Sequence, residues 1–142
     1  MDSFVTTTNN NITIHTDGAS KNNPGPSGGG IIIKKGGKTI FKGCEYYGIK
    51  TNNEAEYLAF IRALEIARGM GLNDVSMFSD SKLVVSQVTG KWKVNDDRIR
   101  KLCRRAQRLI EKVQPSSIQH ILRQFNKEAD ALANESLEGW IP

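Results

Sequence analysis

A chain of 142 residues with 38% hydrophobic and 25% charged residues is long enough for one domain with its own core and has the balance of a soluble globular protein. No apolar run approaches the ~20 residues of a membrane span, and Cys44 and Cys103, the only two cysteines, match no zinc spacing. The net charge is +5, and residues 91–112 alone hold nine basic and three acidic residues, so the rest of the chain stands at −1. Such a local excess points to an anionic partner, nucleic acid first, beside the plain reading of a solvated helix face.

Residues 1–11 contain one Asp, no Lys or Arg and no apolar stretch. They read as a polar, mobile tail rather than a secretory or transit segment, so a cytoplasmic protein with reduced thiols is expected. Ile12 and Ile14 alternate with Thr13 and His15, the period of a half-buried strand. That strand is expected to end at Asp17-Gly18 and pass into a turn through Asn22, Asn23, Pro24, Gly25 and Pro26. Asp17 reads equally as a turn residue or as a carboxylate placed for chemistry. Residues 28–34 form a short apolar run, Lys35-Gly36-Gly37-Lys38 a hairpin signal, and residues 39–47 a third strand. Thr51-Asn52-Asn53-Glu54 is a capping-box pattern that opens a helix to about Arg68, ended by Gly69 and Gly71. A strand around Val75, Met77 and Phe78 stops at Ser79-Asp80, and a helix spans residues 81–88. Lys91-Trp92-Lys93 is a loop. A basic helix covers residues 96–113, a last strand residues 117–125, and Asn126 caps a final helix to about Leu137. A meander of strands followed by alternating helices and strands predicts an α/β fold with a mixed sheet and helices packed on it. The domain is expected at 12–138, with a short tail at 139–142.

Four acids fall at element ends. Asp17 and Asp80 close two strands, and Glu56 and Asp130 lie in the first turns of two helices, where the helix dipole alone also favours an acid. Carboxylates brought together repel and raise one another's pKa unless a cation compensates. With no soft ligands such a group selects a hard divalent ion, Mg²⁺ or Mn²⁺. Spacing alone leaves open whether the four converge.

The segments TDGASKNNPGPSG (16–28), TNNEAEY (51–57), SDSKLVV (79–85), GKWKV (90–94) and FNKEADALAN (125–134), in that order, resemble the type 1 ribonuclease H family over nearly the whole chain. The resemblance implies a ribonuclease H-like fold with a five-stranded mixed sheet flanked by helices. It implies an endoribonuclease that hydrolyses the RNA strand of RNA–DNA hybrids by a two-metal mechanism, with Mg²⁺ or substituting Mn²⁺, giving 5′-phosphate and 3′-hydroxyl ends. Asp17, Glu56, Asp80 and Asp130 are then the catalytic and metal-binding acids. Glu56 is taken over Glu54, which the capping box already employs. Asn23 and Asn53 match positions that contact the hybrid in its minor groove, and Asn52 reads equally as a further contact or as a cap residue. Thr51 matches a phosphate contact. Trp92, flanked by Lys91 and Lys93, is a candidate contact to the DNA strand through its ring and the lysines, with packing the competing and commoner role for a loop Trp.

Two departures stand out. Larger members carry a basic protrusion that residues 90–95 here do not supply, so either the basic helix face at residues 98–108 substitutes in part or affinity for the substrate is lower. Many members also have a flexible loop with a His before the last helix. Here His120 falls within a strand pattern, and Arg123 resembles the Arg of compact members that takes over that role. His15 reads as structural. A monomer is expected. The alternatives are a non-catalytic hybrid- or duplex-binding module on the same fold, and a related nuclease acting on double-stranded RNA.

Overall fold

The computed structural model describes residues 11–138. The tails expected at both ends lie outside the described residues, except for Asn11. That residue is held rather than loose: its carbonyl accepts the Gly36 amide at 2.8 Å.

Strands β1 (Ile12–Ser20), β2 (Gly25–Lys35) and β3 (Lys38–Lys50) form the expected meander. They are followed by α1 (Asn52–Gly69), β4 (Val75–Ser79), α2 (Lys82–Val88), α3 (Asp97–Val113), β5 (Ser117–His120), a short 3₁₀ turn at Arg123–Phe125, and α4 (Lys127–Glu138). The five strands make one mixed sheet in the order β3-β2-β1-β4-β5. The β1–β2 and β2–β3 pairs are antiparallel, while β1–β4 and β4–β5 are parallel, each parallel pair requiring a helical crossover. No helix among the described residues is long and apolar enough to cross a membrane.

The helices take both faces of the sheet. Ile12, Ile14, Ile31 and Ile33 bury against Tyr57, Phe60, Ile61 and Leu64 of α1, and Ile99, Cys103 and Ala106 of α3 complete this core. Alternate strand residues face opposite sides. A Cβ on Gly29 would meet Ala59 of α1, and one on Gly30 would overlap the Ala129 carbonyl of α4, so α1 and α4 lie on opposite faces.

Four boundaries differ from the sequence reading, the first being β3, which runs on to Lys50 instead of ending at residue 47. Asp17-Gly18 is not a turn: both residues lie inside β1, paired with Gly30 and Gly29. The second strand begins at Gly25, ahead of the expected run from residue 28, and its glycines let α4 and α1 approach the sheet backbone. The last strand stops at His120 instead of residue 125, and the 3₁₀ turn takes up Arg123–Phe125. Asn126 is buried and faces inward, with its Nδ2 donating to the Thr16 carbonyl at 2.8 Å. Its side chain therefore ties the start of α4 to β1 rather than bonding to α4's own first turn.

Candidate active site

The parallel pairing of β1 and β4 runs from Ile12↔Val75 to Thr16↔Ser79. Asp17 and Asp80 are each the next residue, so the register sets the two carboxylates side by side where the parallel ladder ends. Functional groups collect at such carboxyl ends of parallel strands. The third acid comes from α1. The helix starts with a full capping box: Thr51 Oγ1 accepts the Glu54 amide at 3.1 Å, and Glu54 Oε1 accepts the Thr51 amide at 2.9 Å. Glu54 is thereby committed to the cap, and Glu56 faces inward. Its Oε1 accepts the Gly18 amide at 2.8 Å. Gly18 permits this approach, because any Cβ there would overlap the backbone of Ala55 and Glu56.

Asp17, Glu56 and Asp80 each offer one carboxylate oxygen, and these oxygens lie within 4.8 Å of one another. Asp17 is 4% exposed and Glu56 8%. Burial raises the Asp17 pKa, and the Glu56 and Asp80 charges raise it further, as does hydrogen bonding with Asp130 and Asp80. Burial and Asp80 likewise raise Glu56, opposed by the Gly18 amide. Like charges packed into a buried group hold their ionised form only with a cation between them. A donor set made of carboxylate oxygens suits a hard divalent ion such as Mg²⁺ or Mn²⁺.

Asp130, the fourth predicted acid, stands outside this group of three. It borders Asp17, and Arg123 Nη2 lies 3.7 Å from its Oδ1. Arg123 itself is 81% exposed. It lines, with Asp17, Asn52, Glu56 and Asp80, a cleft of about 180 Å³. His15 stays out of the acid group and stacks on Phe78 at 4.8 Å, while His120 ends β5 in solvent.

The other predicted contact residues line two neighbouring clefts. Asn23, Thr51, Asn53 and Arg98 border one of about 330 Å³. Asn53, Lys91, Trp92 and Lys93 border another of about 550 Å³. Asn53, Asp96 and Ile99 belong to both. Asn23 Oδ1 accepts the Asn52 amide at 2.8 Å, so the loop before β2 is fastened to the start of α1. Trp92 is not a core residue: it is 46% exposed, with the Lys82 ammonium 5.9 Å from its ring centroid.

Sequence reasoning missed three groups around the site. The Gly18 amide and the Asn126 side chain both lie inside the quoted motifs, so their positions were visible but not their bonds. Buried Gln87 was hidden in an apolar run, LVVSQV, with no local signal. Cys44 and Cys103 are both free, as expected.

Comparison with known proteins bears on the same residues. A family model described as reverse transcriptase-like matches residues 15–136. A ribonuclease HI of Halobacterium salinarum is 44% identical over 123 residues, covering 86% of this chain and 62% of the relative. A bifunctional protein of Mycobacterium tuberculosis is 34% identical over 129 residues, and the match spans 35% of its length. The chain thus corresponds to a part of these relatives. Among solved structures, the RNase H1 of Halobacterium salinarum is 41% identical with a TM-score of 0.88, covering 92% of this chain and 99% of that one. LC11-RNase H1, solved in complex with an RNA/DNA hybrid, is 35% identical with a TM-score of 0.84, covering 90% of this chain and 97% of that one.

Proposed function

This chain belongs to the type 1 ribonuclease H family, and from that premise we propose that it hydrolyses the RNA strand of RNA–DNA hybrids with divalent metal ions. The observation that carries the reading is the group of Asp17, Glu56 and Asp80, buried or half-buried carboxylates within 4.8 Å of one another. A module that only bound nucleic acid would gain nothing from a repulsive cluster of this kind.

Asp17, Glu56, Asp80 and Asp130 would hold two Mg²⁺ ions, with Asp130 on the side toward Arg123. When bound, such ions activate a water and stabilise the charge that builds on a phosphodiester undergoing displacement, which leaves 5′-phosphate and 3′-hydroxyl ends. The chain's own residues orient the substrate. The Asn23, Asn52 and Asn53 amides have both donors and acceptors for the 2′-hydroxyls and base edges of an A-like minor groove. Thr51 and the first amides of α1 suit a backbone phosphate. Lys91 and Lys93 offer charge to the DNA strand, and Trp92 a flat apolar face. Arg123, exposed beside Asp130, draws the product phosphate away. Gly18 holds Glu56 through its amide, and Asn126 holds α4, so the acids keep their places as substrate enters and leaves. We read the domain as residues 12–138 of a cytoplasmic chain that works as a monomer.

End-labelled RNA–DNA hybrid, duplex RNA and duplex DNA incubated with the protein and Mg²⁺ test the reading. Cleavage of the RNA strand of the hybrid is expected, with 3′-hydroxyl products extendable by a polymerase. Binding without cleavage would leave a non-catalytic module. Faster cutting of duplex RNA would move the substrate class.

A further inference from the structure

Gln87 is 6% exposed in α2, within a run that is otherwise apolar. A buried amide is costly unless its polar atoms are bonded. Both ends of this one are. The Tyr57 hydroxyl on α1 donates to Gln87 Oε1 at 2.6 Å. Gln87 Nε2 donates to the Lys93 carbonyl at 3.4 Å. Among the described residues, Gln87 is the only side chain hydrogen-bonded both to α1 and to the loop after α2.

That loop carries Lys91, Trp92 and Lys93. Its near side is closed by backbone: the Ser86 carbonyl accepts the Lys91 and Trp92 amides at 2.8 and 3.0 Å. Gln87 fixes its far side. Tyr57, fully buried, follows Glu56 directly in α1. One covalent step and two hydrogen bonds therefore connect an acid of the candidate metal site to the loop that bears Trp92. Gln87, Trp92 and Asn53 also share the cleft of about 550 Å³.

We infer that Gln87 is a positioning residue that sets the reach of the Trp92 loop from Glu56 and Asn53. The inference rests on the proposed function and adds a device to it. With the loop held, the spacing between the acid cluster and the contact made by Trp92 is fixed before substrate arrives. Preorganisation of this kind lowers the ordering cost of binding and leaves the chemical step alone. A leucine or methionine would fill the same space without the two bonds. What the amide contributes beyond volume is the connection.

Gln87→Met and Tyr57→Phe keep the volume and remove the connection. If Gln87 acts through the loop, KM for a hybrid rises about fivefold to tenfold in each, the scale of one lost hydrogen bond, while kcat at saturation stays within about twofold. Trp92→Ala should raise KM as well, and Gln87→Met added to it should raise KM no further. A second readout needs no substrate. The chain has two tryptophans. In a Trp140→Phe background, Trp92 emission should become more accessible to acrylamide quenching when Gln87→Met is introduced. Additive effects on KM, an equal loss in kcat, or unchanged quenching would overturn the inference. If Gln87→Met does not fold, Tyr57→Phe, which removes a single oxygen, decides. A wild-type protein that leaves hybrids intact would defeat the functional reading instead, and quenching alone would then decide the role of Gln87.

Discussion

Asp17 is buried, and its nearest charged neighbours are other carboxylates. In the metal-free protein it is a source of strain in the electrostatic sense. Asp17→Asn should remove like-charge repulsion, stabilising the metal-free fold by about 1–3 kcal/mol, while hybrid cleavage falls on the order of 10³-fold or more. Calorimetry and a cleavage assay on the same preparation check both halves, and retained activity in the folded variant would reject the assignment. The sign with pH follows from the raised carboxyls of Asp17 and Glu56. From about pH 4 upward the unfolded chain has released these protons while the folded chain still holds them. The folded state thus binds more protons, and stability declines as pH rises through that window. Wild-type Tm measured without metal should fall more steeply with pH than that of Asp17→Asn, and Mg²⁺ should remove the difference.

Elements meet the site through close backbone approach. A Cβ on Gly30 would overlap the Ala129 carbonyl and lie 2.6 Å from the Ala133 amide and the Leu132 Cβ. Gly30→Ala should push α4 off the sheet and cost about 1–3 kcal/mol, read as a lower unfolding midpoint in urea. Thr51→Ala removes the capping side chain of α1 and should cost about 1 kcal/mol by the same measurement. Much of this architecture was legible in the chain. The basic helix expected at 96–113 is α3 to within a residue, and the capping box marked the start of α1. The approach of α1 and α4 to the glycine run was not legible, because strand propensity describes side chains against a pleated surface and takes no account of a helix backbone needing the room. Asp17-Gly18 misled for a related reason: the pair is a common turn signal, but this glycine serves the approach of Ala55 and Glu56. The last strand, expected to reach residue 125, ends at His120 because the chain turns into the 3₁₀ segment Arg123–Phe125. Asp17, Glu56, Asp80 and Asp130 were named from motif order, and only the sheet register shows why the first and third are adjacent.

At the scale of the whole molecule, positive charge is concentrated on α3, which begins at the clefts and runs about 25 Å away from them. Arg98 lines the cleft that holds Asn23 and Thr51, while Arg104 and Arg108 lie further along the exposed face. Arg98→Ala should weaken hybrid binding and flatten its dependence on salt by about 0.7–0.9 in the logarithmic slope, the value of one lost phosphate contact. Arg108→Ala should flatten it less, and equal effects measured by fluorescence anisotropy would mean a duplex lying along the helix instead of across its start. The pairing of β1 with β4 has one more consequence, for the chain during its own synthesis. Asp17 leaves the ribosome before Asp80, and Asp80 before Asp130. Until β4 has emerged and paired in register, Asp17 has no neighbouring carboxylate at the end of a parallel ladder. A half-made chain therefore lacks the assembled acid group, and the activity proposed for it begins only when the fold is whole.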